Sequence, residues 1–243
     1  MSIGHFFLFY IYTNAFGIEK MVLVHVEGNI GSGKSTFLNY MNRNYGHLCS
    51  VITEPVHLWR DVGGNNLLEQ YYSQPDKYAE IFQTHAFLTT VGYRRRQMTT
   101  ENNIVFVERS LDSSVFCFSK VLCSLGLIRP ELQTVFEKNF HLFEEPRPDR
   151  TIYFRTENID VLKGRISRRA RAEENIVSDN FLSELNSAHD KLFFGDDKAI
   201  VIPADLPLET LQETYFEPIW KDIQTIANGG CVGGIPPQVP EVS

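Results

Sequence analysis

No CxxC pair occurs in this chain, and its four cysteines, Cys49, Cys117, Cys123 and Cys231, are scattered. That usage excludes a disulfide framework and a zinc site of the usual spacing, and suits a reducing compartment. Positive charge is not in excess either. The formal net charge of -7 argues against a general nucleic-acid binder, which carries a basic stripe. A local basic cluster can still hold a small anion. The apolar run from Phe6 to Tyr12, FFLFYIY, is too short to span a bilayer. No lysine or arginine precedes Lys20, so the basic start of a secretory signal and the arginines of a mitochondrial presequence are both missing. Residues 1–20 therefore read as a loosely ordered extension or an upstream start. The compartment expected is the cytoplasm rather than the mitochondrion. Internal repeats and a guanine-reading NKxD motif are absent as well.

What the chain does have is an ordinary globular composition, 43% apolar and 22% charged over 243 residues, which fits one α/β domain. Short β-branched runs at 21–28, 49–55, 103–110, 150–156 and 199–203 read as strands. Between them, helical patterns cover 35–44, 76–97, 111–125, 130–143, 159–170, 178–194 and 208–227. Pro75 and Pro130 stand where helix starts tolerate proline. Strands alternating with helices imply a five-stranded parallel sheet covered on both faces. The glycine- and proline-rich segment 229–243 reads as a disordered tail. One domain is expected over 21–228.

The first strand runs into Gly28-Asn29-Ile30-Gly31-Ser32-Gly33-Lys34-Ser35, which satisfies GxxxxGK[ST] and makes the expected fold a P-loop NTPase-type α/β domain. Glycines let successive amides turn towards phosphate oxygens, and the helix that follows adds its positive end. Lys34 is expected to reach the β- and γ-phosphates of ATP, Ser35 to ligate Mg²⁺, and Thr36 to border the same cradle. Ligands of open α/β sheets collect at the carboxyl ends of strands. Glu54 ends the second expected strand, and Glu108 with Arg109 ends the third, so all three can approach Lys34. Further on, Phe82, Gln83, Ala86 and Thr90 fall within one ~100° arc of a helix. Ser114 and Phe118 share a face at i, i+4. Gln83 offers both a donor and an acceptor, so it can bind a base edge bidentately. Phe82 and Phe118 read as core residues on their own.

Taken together, EGNIGSGKST, TEPVHLW, NNLLEQYY, FQTHAFLTT, ERSLDSSVFCF and RISRRARAEE resemble, in order and spacing, the motifs of the deoxynucleoside kinase family. That group contains the deoxycytidine, deoxyguanosine and mitochondrial thymidine kinases. The resemblance covers roughly residues 22–226. It implies transfer of the γ-phosphate of ATP to the 5′-hydroxyl of a deoxynucleoside, with Mg²⁺ and in a homodimer. By the same resemblance Glu54 is the general base, Arg109 contacts the 5′-oxygen and the moving phosphoryl, and Glu108 helps hold Mg²⁺. Trp59, Tyr72, Phe82, Gln83, Ala86, Ser114, Phe118 and Glu174 would form the acceptor pocket, with Tyr72 and Glu174 on the 3′-hydroxyl. Arg165, Arg169 and Arg171 match the arginines of a lid over the triphosphate; read alone, that arginine run is a solvated helix face.

Departures from the family's subtypes bear on the acceptor. Deoxycytidine kinases carry an aspartate at the place of Ser114 and an arginine at that of Thr90. Thymidine-favouring relatives carry a large Met near Thr90 and a small apolar residue at Ser114. The pocket here reads as wider and more polar, which implies a broad substrate range. Val115 stands where relatives often have an arginine. Two rivals remain: a thymidylate kinase, which would need extra arginines for the acceptor's own phosphate, and a non-catalytic kinase-like accessory subunit, which would have no reason to keep Lys34, Ser35, Glu54 and Arg109.

Overall fold

The computed structural model describes residues 21–98, 102–143, 146–169 and 177–230. Its centre is a five-stranded, wholly parallel sheet of order β2-β3-β1-β4-β5. The strands are β1 (Val22–Gly28), β2 (Cys49–Ile52), β3 (Ile104–Glu108), β4 (Arg150–Arg155) and β5 (Ala199–Pro203). Every residue of β1 and of β3 is buried, as expected where helices cover both faces. The second strand stops at Ile52, three residues short of the sequence reading, because Thr53, Glu54 and Pro55 peel away into the crevice and Pro55 offers no ladder donor.

Helix α1 (Lys34–Tyr45) follows β1 directly. After β2 come α2 (Val56–Arg60) and α3 (Leu67–Ser73), two short helices that the hydrophobic pattern alone did not reveal. Asn66 caps α3 by accepting from Glu69 N at 3.1 Å. The long helix α4 (Pro75–Gln97) opens with its proline in the first turn, where a missing N–H costs nothing. Beyond β3 the expected helix exists but begins as a π-helical segment, Ser113–Ser119, before continuing as α5 (Lys120–Ser124). Helix α6 (Pro130–Asn139) ends in a 3₁₀ turn, Phe140–Phe143. Then follow α7 (Ile159–Arg169) and α8 (Asp179–Phe193), the latter capped by Ser178. The last helical stretch is α9 (Leu208–Leu211), a π-helical segment Gln212–Phe216, and α10 (Glu217–Ala227). Gly229 and Gly230 follow its cap, their N–H groups donating to the carbonyls of Ile226 and Thr225.

Two apolar layers flank the sheet. On one side Val22, Val24 and Val26 pack with Phe37, Phe106, Phe154 and Phe216, and on the other Tyr153 joins α4, α5 and α8. The alternation along β1 sends its valines to one face and His25 and Glu27 to the other. Strands β1 and β3 are neighbours whose outgoing connections leave in opposite directions, to β2 and to β4. That reversal opens a crevice at their carboxyl ends. Among the described residues, no helix is long and apolar enough to cross a membrane.

Candidate active site

The cradle that the glycine loop forms after β1 is built from backbone. Gly28 has φ +135, and a Cβ there would lie 2.6 Å from the carbonyl oxygen of Phe154, so only glycine fits. Gly33, at φ +108, is the N-cap of α1 and provides no side-chain cap. The first turn of α1 also holds no acidic residue. Its amides therefore face the crevice as donors for an anion. The side chain of Asn29 braces the loop: its Oδ1 accepts from Ile30 N at 2.7 Å, and its amide nitrogen donates to Leu182 O at 2.8 Å and Asn186 Oδ1 at 2.6 Å, tying the loop to α8. Ile30 is buried in the core with its N–H donating to Asn29 Oδ1 at 2.7 Å, and Ser32 is fully buried with its N–H donating to Asn29 O at 3.3 Å. Lys34 donates to Gly28 O at 3.0 Å and Asn29 O at 2.7 Å. Burial, reinforced by Arg109, pushes its pKa down to about 7 against the pull of Glu108, Glu54 and Glu27.

A cavity of about 720 Å³ opens beside this loop, within the range of small-molecule sites. At its floor the strand-end carboxylates and arginine meet. Ser35 Oγ donates to Glu108 Oε1 at 2.9 Å, and Glu54 N donates to Glu108 Oε2 at 3.4 Å. Arg109 Nε lies 2.7 Å from Glu54 Oε1, and its Nη1 donates to Gly28 O at 2.8 Å. Burial works against the Arg109 charge, yet Glu54, Glu27 and Glu108 together hold its pKa above the usual value. The guanidinium also sits 4.4 Å from the centre of the Phe118 ring. Arg109, with φ +66, is the one non-glycine residue at positive φ among the described residues. Ser35 and Glu108 present two hard oxygens side by side, which fits Mg²⁺, an ion that takes few protein carboxylates and completes its shell with phosphate and water.

The other wall of the cavity is side-chain work. Gln83 and Ser114 both line it, and Gln83 Nε2 donates to Ser114 O at 3.0 Å and Ser114 Oγ at 3.3 Å. That pairing fixes which end of the amide is spent on the protein. Phe82 stacks on Tyr71 at 4.6 Å and meets Trp59 edge-on at 5.7 Å, so it is core and wall at once. Trp59 is anchored by its Nε1 on Thr89 Oγ1 at 3.0 Å. Tyr72, Ala86, Thr90 and Phe118 complete this wall. The π-helical segment lets Ser114 and Phe118 both face the cavity while Val115 points into the apolar cluster of Phe87, Val91 and Phe136. Such segments mark functional sites often.

Towards the mouth, Arg165 donates to Ser32 O at 3.3 Å and to Leu206 O at 3.2 Å, which holds α7 against the cradle. Arg168, Arg169 and Thr36 also line the cavity. Arg171 and Glu174 lie outside the described residues.

Three buried groups around this floor escaped the sequence reading. Glu27, the last residue before the glycine loop, is fully buried, and burial pushes its pKa up to about 7 against Ser110, Arg109, Lys34 and Arg94. His189 on α8 is also fully buried; Nδ1 donates to Leu185 O at 2.7 Å, and burial, then Arg109, pull its pKa down to about 3. Arg94 on α4 is 4% exposed and lines the cavity. A signal existed for two of them: Glu27 is a charge in an apolar strand, and Arg94 lies about three turns beyond Gln83 on the same helix face.

Comparison with known proteins agrees with this geometry. The family described as deoxynucleoside kinase matches residues 24–226. A probable deoxycytidine kinase of Fowlpox virus is 32% identical over 74% of this chain and 75% of its own. Human mitochondrial thymidine kinase 2 is 28% identical over 81% and 76%, respectively. A putative kinase protein of Invertebrate iridescent virus 3 is 27% identical over 80% of this chain and 94% of its own.

Proposed function

Because the chain belongs to the deoxynucleoside kinase family, we propose that its crevice transfers the γ-phosphoryl of ATP to the 5′-hydroxyl of a deoxynucleoside. The enzyme is a nucleotide-binding phosphotransferase of that family; the division of labour among its residues is our reading. Relatives named as nucleoside kinases favour neither a thymidylate kinase nor a non-catalytic subunit.

The observation that carries the reading is the Arg109–Glu54 pair, 2.7 Å apart beside the carbonyl of Gly28. A nucleoside with its base against Gln83 would bring its 5′-oxygen to Glu54, which takes the hydroxyl proton as the O5′–Pγ bond forms. The bond from Pγ to the β-bridging oxygen breaks, and ADP leaves. Arg109, Lys34 and the first amides of α1 face the charge that spreads over the phosphoryl oxygens, with Arg165 and Arg169, and Arg171 by resemblance, at the mouth. When bound with the triphosphate, Mg²⁺ would be held by Ser35 and Glu108 and would neutralise charge between the β- and γ-phosphates. Gln83, Trp59, Tyr72, Phe82, Ala86, Ser114 and Phe118 hold the acceptor, with Glu174 assigned to the sugar by resemblance.

A wide acceptor range follows from small side chains at Ala86, Thr90 and Ser114. Relatives named for deoxycytidine and for thymidine support it. Turnover of thymidine, deoxycytidine, deoxyadenosine and deoxyguanosine decides this; activity on thymidine alone would sink it. The homodimer is supported by Ile81 and Leu88 on α4 and Val135 on α6, each more than half exposed; light scattering after gel filtration tests it. A cytoplasmic setting accords with the scattered thiols.

The central test is phosphoryl transfer by Glu54→Gln. Removing a general base costs about 10²–10⁴ in kcat, with both KM values little changed. A Glu54→Gln enzyme as fast as wild type would refute the assignment.

A further inference from the structure

The guanidinium of Arg94 lies at the deep end of the crevice, in the last turn of α4 and 4% exposed. A charge that deep needs strong partners. One nitrogen, Nη2, donates to Glu108 O at 3.1 Å and to Arg109 O at 2.8 Å. Those carbonyls belong to consecutive residues, the last of β3 and the first beyond it. They frame the left-handed turn at Arg109, φ +66. An L residue holds that conformation only when its surroundings enforce it.

The turn has an evident use. On a continuing strand Glu108 and Arg109 would point to opposite faces. Here Glu108 instead meets Ser35, and Arg109 reaches Glu54 and Gly28 O. From the β1 side the turn is pinned by Arg109 N donating to Val26 O at 2.9 Å. Arg94 grips it from the α4 side. Its nitrogen carries two hydrogens, enough for both carbonyls, and its charge strengthens both bonds and is never lost near neutral pH.

We propose that Arg94 is a positioning residue: by holding the carbonyls of Glu108 and Arg109 together it maintains the left-handed turn that aims Arg109 at the transferring phosphoryl and Glu108 at Ser35. The inference rests on the roles proposed above for those two residues. It also gives α4 a double duty. One end of the helix face presents Gln83 to the acceptor, and about three turns on the same face fixes the catalytic turn.

The test compares Arg94→Met and Arg94→Gln with wild type in kcat, in KM for ATP and for the deoxynucleoside, and in amide exchange across residues 104–114. Misplacement of reacting groups by about 1 Å costs about a hundredfold, so kcat should fall by that order in Arg94→Met. Both KM values should stay within about threefold, since the role proposed for the residue is exerted through the carbonyls of Glu108 and Arg109. Exchange should quicken at the Arg109 amide while the rest of the sheet keeps its protection. If Arg94→Met does not fold, Arg94→Gln, which keeps a polar end too short to span both carbonyls, gives the same readout. Wild-type kcat in either folded variant overturns the proposal. So does a raised KM for ATP with kcat kept, which would make Arg94 a phosphate ligand. Arg109→Met run alongside separates the two levels: if it remains active, the site reading fails; if it is dead while the Arg94 variants are unimpaired, the clamp alone fails.

Discussion

The two halves of the crevice are made in different ways. The proposed donor half is a run of neighbours, Gly28 to Thr36, built largely from main chain: left-handed glycines, the first-turn amides of α1 and one lysine folded against the loop. The proposed acceptor half draws single side chains from α2, α3, α4 and the π-helical segment, and its shape depends on how those helices pack. A backbone cradle recognises phosphate whatever nucleoside carries it. A side-chain pocket can change its preference one residue at a time. The donor half should thus be intolerant of small changes and the acceptor half tunable.

Lys34→Met gives the largest test of this contrast. It should lower phosphoryl transfer by at least about 10³-fold with every acceptor, measured as radiolabel moved from ATP. A loss confined to one nucleoside would break the comparison. Gly28→Ala comes next. Its methyl group would meet the Phe154 carbonyl at 2.6 Å, so the loop must shift. Stability should fall by roughly 1–3 kcal/mol in urea unfolding, and ATP binding by calorimetry should be lost. Gln83→Leu should act on the acceptor alone. Losing a base-edge bond costs about 1–3 kcal/mol, which appears as a raised nucleoside KM with the KM for ATP unchanged.

The smallest effect concerns the floor that both halves share. Burial raises the Glu27 pKa from 4.5 to about 7 in the folded enzyme. A raised folded pKa means that the native state binds its proton more tightly than the unfolded chain does. Its contribution is therefore fully present below about 4.5 and lost as pH climbs through about 7. Glu27→Gln should leave Tm nearly unchanged at pH 4.5 and raise it at pH 8, by a few degrees. An increment that is equal at both pH values would show that the carboxylate is not carrying a burial penalty.

Much of the fold was readable in advance. Four of the five strands came within two residues of their observed ends, since a buried parallel strand is a continuous apolar run. The short helices α2 and α3 were not readable, because five to seven residues carry too little periodicity. Neither was the π-helical start of the helix after β3, which depends on packing of Val115 against α4 and α6. Within the site, Lys34, Ser35, Glu54, Glu108 and Arg109 do converge, and Gln83 and Ser114 meet on one wall of the cavity. Asn29 shows what the motif leaves unsaid: its side-chain amide is taken by Leu182 and Asn186, more than 150 positions away.

By itself, the sequence determined the P-loop, to which the donor chemistry is assigned above. A P-loop acts through consecutive backbone groups, and local spacing suffices to specify them. Tertiary structure alone decided how the rest is aimed: Arg94 onto two carbonyls at the end of the next strand, Glu27 into a buried floor near Lys34 and Arg109, and the Gln83 amide onto Ser114. These are contacts between groups distant in the chain. Their energies come from burial and from direction, neither of which exists until the helices close over the sheet.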